Sequence, residues 1–348
     1  MVTARTSIRE GFRLARQSCG AVWMLFAANL LLAIIAALPI FHGILDFTSQ
    51  SLMARDLLTG FSFDWFTDFT FNRGAAIQQY AQFIMIMGMI ALPVNAILAG
   101  GVLARFQNPQ ERFRLGSFFR DCGRYTWRML WLMVFALIAF WAAFHFVHAG
   151  LGGFVNRKTL YWTDDRTAFL AQLGAGLLLL LALAFINLVI EFAQVRIVYV
   201  EGAGAIDSLL AALGFAIARL PKAVVVYVVP SFGGLALLGI YRLVTPWSLI
   251  HSSLGGSAAS SYEPALVLSL LFMGQQLVMF GRYWFRVATW ASEWSLYHGT
   301  RTPRPLTSRL KDAPRNRSDF MPPVNGFDAR GSAGWTGHRP GGQRFSVL

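Results

Sequence analysis

Six long apolar blocks decide what this chain can become. They cover roughly residues 22–41, 79–103, 129–149, 168–195, 223–243 and 264–285, each close to the ~20 residues an α-helix needs to cross hydrocarbon. Lipid cannot hydrogen-bond an exposed backbone, so blocks of this kind must be helical. Composition agrees: 55% of the 348 residues are hydrophobic and 14% are charged, against about 25% charged in soluble proteins. The segments between the blocks are too short to hold a soluble domain. The expected fold is therefore all-α, a polytopic membrane helical bundle of six transmembrane helices with interfacial amphipathic helices. Residues 1–298 form the six-span domain.

Basic residues set the expected orientation. Of the 30 Lys and Arg, 24 fall in the N-terminal segment, the second and fourth loops and the C-terminal part, and six on the other face. Positive charge accumulates on the cytoplasmic side, so both termini are expected in the cytoplasm of a bacterial cell, with the chain multi-pass in its inner membrane. The run from Ala21 to Phe41 exceeds the about 7–15 apolar residues of a cleaved signal peptide and reads as an anchor. The net charge of +13 then points to the anionic lipids of the inner leaflet, at about 1 kcal/mol per basic residue near the surface. Nucleic acid is not an expected partner. Residues 299–348 carry seven Gly and six Pro, with nine basic residues against three acidic. They read as a disordered basic tail, attached to the inner leaflet or docked on an acidic protein.

The blocks look paired. A basic stretch precedes each odd-numbered span: Arg5 to Gly20, Gln110 to Thr126 behind Pro109 at an expected first helical position, and Asp207 to Leu220. In the first, Ile8, Phe12, Ala15 and Cys19 form one stripe and Arg9, Arg13 and Arg16 another; in the second, Leu115, Phe118, Cys122 and Tyr125 make the apolar stripe. Such helices lie in the interface, a pattern that the nearly apolar third stretch fits less well. Each even-numbered span ends in an arginine, Arg105, Arg196 and Arg286. Their near-equal spacing suggests three related hairpins, although positive-inside selection alone also places arginine there.

The basic amphipathic start running into Trp23 to Pro39, the Glu191-Phe-Ala-Gln-Val-Arg196 span end, and Arg282-Tyr-Trp-Phe-Arg286 with Trp290 and Trp294 carry a resemblance. Over residues 5–298 the chain resembles a group of uncharacterised six-span bacterial integral membrane proteins. That group is similar to the membrane domain fused to some glycerophosphodiester phosphodiesterases. The resemblance implies an all-helical module that contacts lipid or scaffolds partners. It implies no hydrolase, because the soluble barrel and its catalytic His and Glu have no counterpart here.

Polar residues within spans point to function because hydrocarbon penalises them. Gln275 is placed near the midplane and Asn95 and Asn29 in the inner half. Asn187, Glu191 and Gln194 share a helix face by spacing, as do Arg282, Arg286 and Glu293. Glu191 and Arg282 are expected at similar depth. The network Asn187, Glu191, Gln194, Arg282 and Arg286 is either a set of interhelical hydrogen bonds or the lining of a cavity open to the cytoplasm. A cavity would favour transport, and a dry core a scaffold. His42, His145, His148 and His251 all fall on the outer side, and His145 with His148 has a spacing able to ligate metal or haem. No Cys or carboxylate motif supports them, so neither a metal site nor a cofactor is expected. Cys19 and Cys122 read as small apolar residues. Gly100-Gly101, Gly174-Ala175-Gly176 and Gly233-Gly234 read as close helix contacts.

In the first outer loop Phe61, Phe63, Trp65, Phe69 and Phe71 occupy alternate positions among polar residues, with Phe66 and Thr67 breaking the alternation. Period two predicts an extended, two-faced segment, serving as a lid or as a surface for a protein partner. No catalytic motif occurs. The expected function is a non-enzymatic membrane protein organising lipid or a protein complex, with a small transporter or flippase for a lipid-like solute as the alternative. The orientation is directly checkable: a topology reporter fused after Tyr297 should be active only in the cytoplasm, and periplasmic activity would reverse the assignment.

Overall fold

The computed structural model describes residues 3–50, 63–160, 164–244 and 263–301. Among them every regular element is helical: α1 (Ala4–Gln17), α2 (Cys19–Gln50), α3 (Phe63–Asn72), α4 (Gly74–Arg105), α5 (Leu115–Ala143), a π-helical continuation (Phe144–Gly152), α6 (Gly153–Thr159), α7 (Asp165–Tyr199), α8 (Ala205–Ala218), α9 (Leu220–Val244) and α10 (Glu263–Arg301). Among the described residues, five apolar helices are long enough to cross a membrane: α2, α4, α5 with its continuation, α7 and α9. The sixth expected block begins α10, whose 39 residues extend about 58 Å at ~1.5 Å per residue. The chain is a multi-pass helical membrane protein.

Local sequence explains the helix ends. Thr3 and Thr6 cap α1 reciprocally: the Thr6 backbone N–H donates to Thr3 Oγ1 at 3.3 Å and the Thr3 N–H donates to Thr6 Oγ1 at 3.1 Å. Asp164 caps α7 by accepting from the Thr167 hydroxyl and the Arg166 backbone N–H. Those bonds, the hydroxyl first, hold its carboxyl below the usual carboxylate range. Gly202, with φ of 91°, supplies the left-handed residue in the turn between α7 and α8.

Burial is concentrated at the arginine-rich end. There the core joins Leu14 and Val22, the run Leu98 to Leu103, Phe118 to Leu132, Leu188 to Val198, and Val287 to Tyr297. Toward the other end Leu31, Leu38, Met89, Leu180 and Leu235 stay exposed, as side chains facing lipid do. The three short lead-in segments build the core in a ring. The start of α5 lies on the end of α4, α8 on the end of α7, and α1 on the second half of α10. Each lead-in thus packs on the preceding hairpin, and the first closes on the last. The ends of the even-numbered spans meet inside the ring, where Trp294 lies 6.3 Å from Phe106 and 5.6 Å from Tyr199 between ring centroids.

Two expectations about the lead-ins change. α5 begins at Leu115, so Pro109 is not at a first helical position, and Leu115 is exposed while Phe118, Cys122 and Tyr125 are buried. α1 buries Ser7, Gly11, Leu14 and Ala15, so that of the expected stripe only Ala15 is fully buried and Cys19 is exposed. Its small face is what α10 accepts, with Ile8 and Phe12 partly buried at the margin. The glycine pairs also divide. Gly101 faces Cys122 and Phe118, and Gly233 faces Phe285, whereas Gly174 and Gly176 have no neighbour in reach among the described residues.

A Cβ on Gly11 would lie 2.6 Å from the Ser292 backbone nitrogen, an obstacle that cannot rotate away. Gly11→Leu should therefore cost about 1–3 kcal/mol by overpacking. Gly174→Ala, in open space, should gain up to about 1 kcal/mol of helix propensity. Thermal unfolding in mild detergent reads both. Equal melting temperatures for Gly11→Leu and the parent would mean that α1 is not docked on α10.

Candidate functional site

Where α2, α4, α5, α7 and α10 converge, the apolar packing opens into a cavity of about 460 Å³. That lies within the 300–1,000 Å³ typical of small-ligand sites. Leu25, Ala96, Met133, Phe140, Ile190 and Trp290 supply its apolar wall, and Asn29, Asn95, Asn187, Gln194, Arg282 and Arg286 its polar groups. A second cavity of about 250 Å³ lies between α7, α9 and α10, with Glu191, Tyr227, Ser231 and Thr289 in its wall. Arg282 and Arg286 line both.

Helix register brings these groups together. Asn29 and Asn95 exchange two amide hydrogen bonds, both 2.9 Å. Each spends its second N–H on the carbonyl one turn earlier, Leu25 and Ala91, at 2.8 Å. The pair ties α2 to α4 with every amide hydrogen used, for roughly 0.6–2 kcal/mol. On α7, Asn187 Nδ2 donates to Glu191 Oε1 and to the Tyr227 hydroxyl, both at 2.9 Å.

The acid's cationic partner is Arg286, with Nη2 3.6 Å from Glu191 Oε1. Arg282 lies instead against the Met279 sulfur and has no ion pair among the described residues. The Glu191 side chain is 4% exposed and that of Arg286 53%. Arg286 also covers the Trp290 ring at 5.1 Å, a cation–π contact that holds the guanidinium beside the cavity. Glu293 is fully buried, and its carboxyl faces that of Glu191. Neither of its oxygens accepts a hydrogen bond from a donor group among the described residues.

All five members of the expected network are thus gathered at one site. Tyr227 was not among them, although its signal is visible: one hydroxyl within the run Val224 to Val229. Gln275, expected near the midplane, is exposed and takes no part.

The aromatic loop is corrected. Phe63–Asn72 is a helix, not an extended segment, because Trp65 and Phe69 stand one turn apart and bury together. Their rings stack at 5.2 Å and Phe47 packs edge-on against both. Phe63 and Phe71 remain largely exposed, and Phe61 lies outside the described residues. His145 and His148 sit in the π-helical segment, where His145 stacks on Trp141; His251 is outside the described residues. Among the described residues no three His, Cys, Asp or Glu are grouped as a metal site requires. Comparison with known proteins finds no matching protein family, no matching curated protein and no matching solved structure.

The asymmetry of the ion pair predicts an asymmetric mutant cycle. Arg286→Met strands a buried carboxylate and should cost on the order of 3 kcal/mol. Glu191→Gln keeps an acceptor for Asn187, leaves a half-exposed arginine, and should cost about 1 kcal/mol or less. The double mutant should melt above Arg286→Met alone. Strictly additive melting shifts would show that the two groups do not interact.

Proposed function

We propose that this protein is a non-enzymatic membrane protein that takes an anionic amphiphile into its polar cavity, acting as a small transporter or flippase for a lipid-like solute. One observation carries the reading: two arginines, one of them without an ion pair among the described residues, share the wall of an otherwise largely apolar cavity. A guanidinium recognises phosphate, sulfate or carboxylate through paired N–H donors. The apolar wall suits a chain, and the Asn29–Asn95 pair closes α2 against α4 beside it. In this reading the arginine-rich end faces the cytoplasm of a bacterium. The arginines of α1 and α5 there collect anionic lipid at the inner leaflet, which supplies solute to the cavity.

A second reading, a scaffold for a membrane protein complex, is favoured by one feature. Phe63 and Phe71 project from α3 with 70% and 88% exposure, on the side away from the arginine-rich end, where an apolar partner could cover them.

Native mass spectrometry of the full chain in mild detergent tests the cavity. The parent should retain phosphatidylglycerol in preference to phosphatidylcholine. Arg282→Ala with Arg286→Ala should reduce that preference about tenfold, the effect of losing about 1.4 kcal/mol of head-group binding. Equal retention of the two lipids by the parent would overturn the proposal.

A further inference from the structure

The cavity contains its own competitor for an anion. Arg282 and Arg286 both line the two cavities, and Arg286, half exposed and held over the Trp290 ring, is the one that an anion must share with a carboxylate. Its present partner is the carboxylate of Glu191, held at 3.6 Å, outside ordinary hydrogen-bond distance. Oε1 of Glu191 already accepts from Asn187; Oε2 is buried and accepts from no donor group among the described residues. Behind it stands Glu293, buried and facing the same carboxyl. Two neighbouring carboxyls form a hydrogen bond only when one of them carries a proton.

Resting on the proposed cavity reading, we infer that uptake of an anionic head group is coupled to uptake of a proton by the Glu191–Glu293 pair. When the anion takes Arg286, Glu191 loses its counter-charge in a site with little water, and a buried carboxylate without a cation is neutralised by protonation. The proton comes from solution and settles on the carboxyl pair. The anion replaces the lost carboxylate charge beside Arg286, so the net charge of the site is unchanged. One anion and one proton enter together.

The sign follows from competition. Protonating the pair frees Arg286, so affinity for the anion rises as pH falls, and by linkage anion binding draws in protons to the same extent. The charged and titratable groups around the pair are Arg286 and Arg282 on α10 and the Tyr227 hydroxyl on α9, the last joined to Glu191 through Asn187. Both arginines stay protonated at any working pH. The acids are therefore the groups that change charge. Their placement adds a geometric requirement: Glu293 lies seven residues beyond Arg286 on the same helix, so α10 carries both the anion's ligand and half of the proton's.

Decyl sulfate is a suitable probe, because its sulfate ester stays ionised across the range and cannot itself supply the pH dependence. Its binding to the purified full chain in a neutral detergent should tighten as pH is lowered, by up to about tenfold per pH unit where one proton is taken up. In weakly buffered solution, mixing the parent protein with decyl sulfate should raise the pH, a measurement that needs no variant. Glu191→Gln and Glu293→Gln should each flatten the profile, and Glu191→Gln should bind as tightly at high pH as the parent does at low pH. Binding that is lost on Arg282→Ala with Arg286→Ala, yet independent of pH and without proton uptake, overturns this inference and leaves the cavity reading standing. No cavity-dependent binding at any pH overturns both.

Discussion

Hydrocarbon gives apolar helices little reason to leave lipid for one another, so a membrane bundle is held by close backbone approach, hydrogen bonds and whatever can be buried at its edges. This protein relies on the edges. Its lead-in segments α8 and the start of α5 each lie on the end of the preceding hairpin, and α1 lies on the last one. Small residues make the approach possible: Gly11 against Ser292 and Gly101 against Cys122. At the third junction an aromatic contact and an ion pair stand in their place, Phe192 with Phe215 at 5.2 Å and Arg196 with Asp207 at 2.6 Å. The main core among the described residues follows from this ring, including the aromatic centre around Trp294 and the wall on which Arg286 is mounted.

The polar site is a consequence of the same arrangement. A bundle tightly packed at one end and loosely packed at the other has a transition between them, and the cavity is found there, bounded by the Asn29–Asn95 bridge and the Glu191–Arg286 pair. The Asn29 and Asn95 amides placed there use all their N–H groups, whereas the buried Gln194 Oε1 accepts from no donor group among the described residues. Charges are not fully paired either: Arg282 has no carboxylate partner among the described residues, and Glu191 faces a second acid. Full pairing would make the region structural only. Its incompleteness leaves a cationic surface within an apolar wall, a combination suited to amphiphiles.

Much of this was legible in the chain. Length and hydropathy are sufficient for helices in lipid, since no other structure satisfies the backbone, and the i, i+4, i+7 spacing of Asn187, Glu191 and Gln194 placed them on one face without further information. Partner choice was not legible. Whether Glu191 meets Arg282 or Arg286 depends on the rotation of α10 about its axis, which α1 sets by docking on it. The aromatic loop misled for a related reason. Alternation from Phe61 to Phe71 is one period among several that the same residues satisfy, and the contact of Trp65 and Phe69 with Phe47 selected the helical one. Gly174 and Gly176 show the limit of motif reading, because a small residue permits close approach without requiring it.

The closure of α1 on α10 also has a consequence in time. Gly11 and Ser292 are separated by some 280 residues, which a ribosome adds in roughly 15–55 s. During that interval α1 is complete but its main partner, the second half of α10, has not been made. Its amphipathic character gives it a temporary one, the membrane surface, where its arginines face head groups and Ile8 and Phe12 face acyl chains. Ring closure is then an exchange of lipid for protein on one helix face, made only when the last hairpin arrives. Until that moment the wall carrying Arg286 does not exist, so the cavity is the last part of the molecule to be assembled and cannot admit solute in a half-made chain.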